Sequence, residues 1–189
     1  MRKRFIFAMT LLCIIITFCG CSKQSAYSKE DLFTFEFRFD ELSVKIPQEI
    51  SLFTNDGWKF PEKFKDLETT MSNGNLKSTY LEKEDNWFSV EIFNYSGSDK
   101  LVKDCPIGRI TYDFSGNLKI YLANDYLLNE KTLDQFIKDF GSPMSQADYS
   151  TYTEIIYDKN EQEGIYDRIT LRFDKDTKIV NSFDVVNFY

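Results

Sequence analysis

From Phe33 to Ile46 apolar residues fall on every second position: Phe33, Phe35, Phe37 and Phe39 first, then, beyond Asp40-Glu41, Leu42, Val44 and Ile46. A period of two belongs to a strand with one buried face. This stretch is therefore a hairpin or one long bent strand, stopped by Pro47. The same signal returns at 76–81, 87–95, 107–114, 118–122, 153–157, 165–173 and 179–188, so most of the chain is written for antiparallel sheet. In 87–95, Phe88, Val90 and Ile92 alternate with Trp87, Ser89, Glu91 and Phe93.

Helical signals are few. Residues 51–58 suit one or two turns ended by Gly57. Residues 61–75 read as loop with room for one helical turn. Thr132-Leu133-Asp134-Gln135 is a capping box, in which Thr132 and Gln135 each satisfy a backbone N–H left over at the helix start. Leu133, Phe136, Ile137 and Phe140 then repeat at i, i+3, i+4 and i+7, and Gly141 and Pro143 end the helix. The order strand, helix, three strands thus occurs twice. The expected fold class is α+β, with two similar units (33–116 and 117–189), antiparallel sheets, and helices packed on one sheet face.

The first twenty residues carry an address. Arg2, Lys3 and Arg4 precede an apolar run over 5–18. That run is too short to span a ~30 Å hydrocarbon core and suits the h-region of a secretory signal. Phe18-Cys19-Gly20-Cys21 then resembles a bacterial lipobox, with cleavage between Gly20 and Cys21 and lipidation of Cys21, although Phe18 and Cys19 depart from its usual residues. The alternative is an ordinary signal cut nearby, with Cys21 left as a thiol. Residues 21–32, short and polar, read as a flexible tether. The lipid would hold the protein on the extracytoplasmic face of a membrane, since two or more acyl chains anchor stably.

Without Arg2, Lys3 and Arg4, 20 basic residues face 30 acidic ones, a net charge of −10. Such a chain repels nucleic acid and anionic headgroups, so no nucleic-acid partner is expected and the lipid alone must hold the membrane.

The helix end Phe140-Gly141-Ser142-Pro143, followed by a variable loop and three strands, resembles the repeat of β-lactamase-inhibitor-protein-like domains, shared by small outer-membrane assembly lipoproteins. Gly57-Trp58-Lys59 together with the later Phe-Gly-x-Pro also resembles uncharacterised small lipoproteins of Gram-positive bacteria. The resemblance covers most of 33–189. It implies a scaffold for binding proteins and no family catalytic residues.

The residues themselves point away from catalysis. With no histidine in the chain, a Ser-His-Asp triad, a Cys-His dyad and His-ligated zinc are ruled out. No nucleophile elbow, phosphate loop, C-x-x-C or H-E-x-x-H occurs. Asp158 to Gly164 faintly resembles a calcium loop, but its glycine comes one place late and the closing Glu is missing; a solvated hairpin loop is the simpler reading. Asp174 and Asp176 read as turn formers and 83–85 as a mixed-charge turn. Cys105 is either a reactive thiol or a buried inert one; Asp104 beside it disfavours the thiolate. No metal, no cofactor and no enzyme activity are expected.

Binding chemistry is more visible. Opposite the apolar strand faces stand Trp87, Phe93 and Tyr95 in the first unit and Tyr166, Arg168 and Arg172 in the second. Trp, Tyr and Arg dominate interface hot spots, so these six form a candidate face for a protein or peptide of the cell envelope. The expected function is a non-catalytic, membrane-anchored binding module. A solute-binding lipoprotein serving a transporter and an inhibitor of a secreted enzyme are the alternatives.

Overall fold

The computed structural model describes residues 26–114, 116–160 and 167–188. Gly20, Cys21, Tyr166 and most of the 158–164 loop lie outside the described residues.

The fold begins earlier than the apolar pattern suggests. The backbone N–H of Ser28 donates to the Asp31 carboxylate at 2.7 Å and starts a single helical turn, α1 (Lys29–Leu32), whose Leu32 enters the core. Tyr27 meets Tyr126 edge to face at 4.7 Å and Phe140 at 5.6 Å. Residues 27–32 are thus docked, which corrects the expected tether of 21–32. Two aromatic contacts and one buried leucine outweigh the polar composition of the segment.

The alternation over 33–46 resolves into a hairpin of β1 (Glu36–Phe39) and β2 (Leu42–Lys45), turned at Asp40 with φ 47°. A two-residue β3 (Gln48–Glu49) leads into α2 (Ile50–Asn55), and Gly57, at φ 92°, stops that helix as expected. The 61–75 stretch holds a 3₁₀ turn at Asp66–Glu68 and the short β4 (Thr70–Met71). The long strands β5 (Leu76–Lys83) and β6 (Asn86–Phe93) follow, then β7 (Lys100–Leu101) and β8 (Pro106–Tyr112). Next come β9 (Ile120–Leu122), β10 (Tyr126–Leu127) and α3 (Leu133–Phe140). The capping box of α3 is made: Gln135 N–H donates to Thr132 Oγ1 at 3.3 Å and Thr132 N–H to Gln135 Oε1 at 3.2 Å. The chain closes with β11 (Ser145–Asp148), β12 (Tyr152–Asp158), β13 (Asp167–Asp174) and β14 (Val180–Asn187). Asp174 Oδ1 accepts from the backbone N–H groups of Asp176 and Thr177, which fixes the turn after β13.

Every strand pairing among the described residues is antiparallel, in a mixed fold dominated by sheet. The principal sheet has the order β11-β12-β13-β14-β8-β6-β5, with β3 beside the end of β8. A second sheet has the order β10-β9-β1-β2, and β4 pairs with β7.

The smaller sheet and the helices cover one face of the principal sheet. Phe39, Phe53 and Trp58 surround Phe88 of β6, at centroid distances of 4.9, 5.8 and 4.4 Å. Phe37 meets Phe183 of β14 at 5.4 Å. Phe136 of α3 lies 5.7 Å from Tyr157 and 6.2 Å from Phe173. Rings of this size each bury some 150–250 Å², so the aromatic excess of the chain (16% Phe, Trp and Tyr) is what fills the layer between the sheets.

Candidate docking face

Because side chains alternate along a strand, the registers assign the opposite face of the principal sheet residue by residue. Three rows cross it. One runs Glu154–Arg172–Ser182 and reaches β6 at Trp87, which lies opposite Glu82. The next runs Ile156–Thr170–Asp184–Thr111–Ser89–Tyr80. The third runs Asp158–Arg168–Val186–Arg109–Glu91–Ser78. At ~4.8 Å per strand, Arg172 and Trp87 stand about 14 Å apart.

The middle of the face is a charge network. Arg109 Nε donates to Asp184 Oδ1 at 2.7 Å and its Nη2 to Oδ2 at 3.2 Å, while Nη1 reaches Glu91 Oε1 at 3.3 Å. The Asp184 hydrogen bond, and Glu91 behind it, hold the Arg109 guanidinium above its ordinary pKa. Thr111 Oγ1 also donates to Asp184 Oδ1 at 2.7 Å. At one side Arg172 Nε donates to Glu154 Oε2 at 2.9 Å, and its guanidinium lies 5.0 Å from the Tyr152 ring centroid. A hollow of about 280 Å³ is lined by Ser78, Tyr80, Ser89, Glu91, Arg109 and Thr111.

The six expected face residues separate. Trp87 is 44% exposed and meets Tyr80 at 6.4 Å. Tyr95 is 47% exposed. Arg172 is exposed and Arg168 half-buried, both on the open side of β13. Tyr166 lies outside the described residues. Phe93 is a correction: it stands on the expected side yet is buried, because it and Phe188 close over Gly108, with their centroids 5.1 Å apart. Only the missing side chain of Gly108 makes room, since a Cβ there would lie 2.2 Å from Phe93 Cε1 and 2.7 Å from Phe188 Cδ1.

Arg109, Tyr80 and Asp184 belong to the face and escaped notice in the sequence. Of six arginines, three of the four beyond residue 20 fall on this face. The fourth, Arg38, stacks 3.9 Å from the Tyr121 ring on the outer side of the smaller sheet. It lines a cleft of about 350 Å³ with Glu36, Lys45 and Asp125.

Cys105 is buried, and its thiol donates to Leu101 O at 3.3 Å. Burial pushes its pKa up, ahead of a smaller opposing pull from Lys100. Among the described residues no three His, Cys, Asp or Glu side chains converge as a metal site, and no helix is long and apolar enough to cross a membrane.

No family model matches this chain, and neither a curated protein nor a solved structure is similar to it at a significant level.

Proposed function

We propose that the protein is a lipoprotein, acylated at Cys21 on the extracytoplasmic face of a membrane, that binds a protein or peptide of the cell envelope through the open face of its principal sheet. The observation carrying this reading is the sidedness of that sheet. One face is filled by helices, a second sheet and aromatic side chains. The other carries Arg109, Arg168, Arg172, Tyr80 and Trp87, each partly or largely exposed. A wide face with Arg and aromatic anchors around an ordered polar centre has the make-up of a protein-binding patch.

The same reading takes the chain as two similar units. The sheet order supports it: β12-β13-β14 and β8-β6-β5 meet with their third strands adjacent, and β1 of the first half pairs with β9 of the second. Such a pairing would make the open face continuous across both halves. A second reading, capture of a small zwitterionic solute, is favoured only by the cleft between Arg38, Lys45, Glu36 and Asp125.

The test is cross-linking in the native envelope. The full chain should capture one saturable protein partner, and a folded Trp87→Ala/Arg168→Ala/Arg172→Ala variant should lose it. Equal capture by both would remove the face from the reading. Incorporation of labelled fatty acid, abolished by Cys21→Ser, tests the anchor separately.

A further inference from the structure

β5 forms one edge of the principal sheet, and most of that edge is unused. Glu82 and Lys59 exchange two backbone hydrogen bonds of 2.9 Å on the side away from β6. Backbone groups alternate sides along an unbroken ladder, so those of Tyr80, Ser78 and Leu76 point the same way. Among the described residues nothing bonds to them.

The cause is Pro61. Pro61, two residues beyond Lys59, has no N–H with which to continue the ladder, and no bond to Tyr80 is made. The chain lays down one residue pair of a further strand and then turns, with Phe64 N–H donating back to Pro61 O at 2.8 Å. A long edge with open donors and acceptors is a template for another strand.

The side chains beside this edge have a sign. Tyr80 and Trp87, at 73° to each other, line a cavity of about 400 Å³ with Glu82, Glu84 and Asp85. None of these three carboxylates makes an ion pair among the described residues, while Lys83 is committed to Asp56 at 2.8 Å. Lys59 stands opposite Glu82 without pairing to it, and Lys63 Nζ lies 5.8 Å from the Tyr80 ring centroid. An ammonium of this chain therefore already takes the cation–π position. At the other end of the open edge Leu76 is 48% exposed.

We propose that β5 accepts an extended polypeptide segment of a partner as an added antiparallel strand, carrying Lys or Arg opposite Tyr80 and an apolar residue four positions later opposite Leu76. The proposal rests on the binding-module reading and deepens it. The backbone supplies affinity and the two side-chain positions supply selectivity. The acidic corner and the acidic chain both favour a basic partner.

The probe is the peptide acetyl-Lys-Thr-Ser-Thr-Leu-Thr-amide, which leaves the Lys59–Glu82 bridge in place, titrated into the full chain in nonionic detergent. Of the two tryptophans, Trp58 is 3% and Trp87 44% exposed, so emission excited at the red edge reports Trp87. Saturable binding is expected. It should weaken at least tenfold when Glu replaces Lys, and also when Lys moves one position and so faces the opposite side. Hydrogen exchange at the Ser78 and Tyr80 amides should slow in the complex, with Lys77 and Thr79 unchanged.

Ser78→Pro removes an outward N–H at an edge position, where proline is tolerated, and should abolish binding by a folded chain. Undiminished binding by folded Ser78→Pro, or equal binding of the Glu peptide, overturns the proposal. So does concentration-dependent protection of Ser78 and Tyr80 in the chain alone, which would make a second copy the occupant. If any of these occurs while the envelope partner is still lost with the Trp87, Arg168 and Arg172 variant, the binding-module reading survives and only the edge assignment fails.

Discussion

Arg109 grips Asp184 with two nearly parallel hydrogen bonds, Nε to Oδ1 at 2.7 Å and Nη2 to Oδ2 at 3.2 Å, at the centre of an otherwise open sheet face. The Asp184 side chain is 12% exposed, whereas the Arg109 side chain is 33% exposed and has Glu91 as a second anion. The two partners therefore do not cost the same to remove. Arg109→Leu strands a buried carboxylate and is expected to destabilise by about 2 kcal/mol, below the usual 3–5 for a fully buried pair because water reaches the site. Asp184→Asn keeps an acceptor for Thr111 and leaves Arg109 with Glu91, so about 1 kcal/mol is expected. Urea denaturation of both variants and of the double variant checks the asymmetry. Equal losses would show that the pair is not the buried centre of the network.

Gly108 is the seat of the aromatic lid formed by Phe93 and Phe188. A Cβ there would meet Phe93 Cε1 at 2.2 Å and Cδ1 at 2.5 Å, distances no real Cβ contact shows. Gly108→Ala is expected to lose about 2–3 kcal/mol through overpacking. Combining it with Phe93→Leu should lose less than the sum of the two single changes, since the shorter side chain vacates the contested space. Strict additivity in a thermal denaturation cycle would mean that the ring is not what the new methyl meets.

The strands β6, β12 and β13 were legible because their apolar residues keep a period of two against a buried layer, as in Phe88, Val90 and Ile92. The cap of α3 was legible because Thr132 and Gln135 act within one turn. Elements set by distant partners were not. β4 exists because Thr70 and Met71 find Leu101 and Lys100, and β11 because Ser145 to Asp148 find Ile156 to Thr153; neither segment alternates. Phe93 misled for a related reason. Its parity places it outside, and its burial is decided by a glycine two strands' worth of sequence away. Arg109 went unnoticed since nothing local distinguishes it from a solvated arginine, and its partner is 75 residues distant.

Cys105 is expected to behave as a core residue. It is 1% exposed, its thiol donates to Leu101 O, and burial raises its pKa. A thiol reagent should therefore label it only as the chain unfolds, and the labelling midpoint in urea should coincide with the midpoint by fluorescence. The measurement uses the Cys21→Ser chain with Cys13 and Cys19 also replaced, which leaves Cys105 as the single thiol. Rapid stoichiometric labelling in the absence of urea would mark Cys105 as accessible and reactive instead.

Asp167 begins β13 in a poor setting for a charge. It is 8% exposed, Asn160 Nδ2 donates to its Oδ2, and its Oδ1 is buried without a partner. Burial is the largest influence and raises its pKa, against smaller favourable contributions from Lys159 and the Asn160 hydrogen bond. A carboxyl whose pKa is higher in the folded state holds its proton more tightly there. Its contribution to stability is complete below the unfolded-state value and is lost as pH rises through the folded-state value. Above that folded-state value the folded chain carries an ionised, partly desolvated carboxylate. Asp167→Asn removes that charge while keeping an oxygen to accept from Asn160. The variant should be more stable than the parent at pH 7, by on the order of 1 kcal/mol. The advantage should shrink toward zero as the pH is lowered into the carboxyl range and the parent protonates. Urea midpoints at four or five pH values between 3 and 7 decide the matter. A variant that is less stable at pH 7, or whose difference from the parent does not change with pH, would show that the ionised form is the one the fold favours.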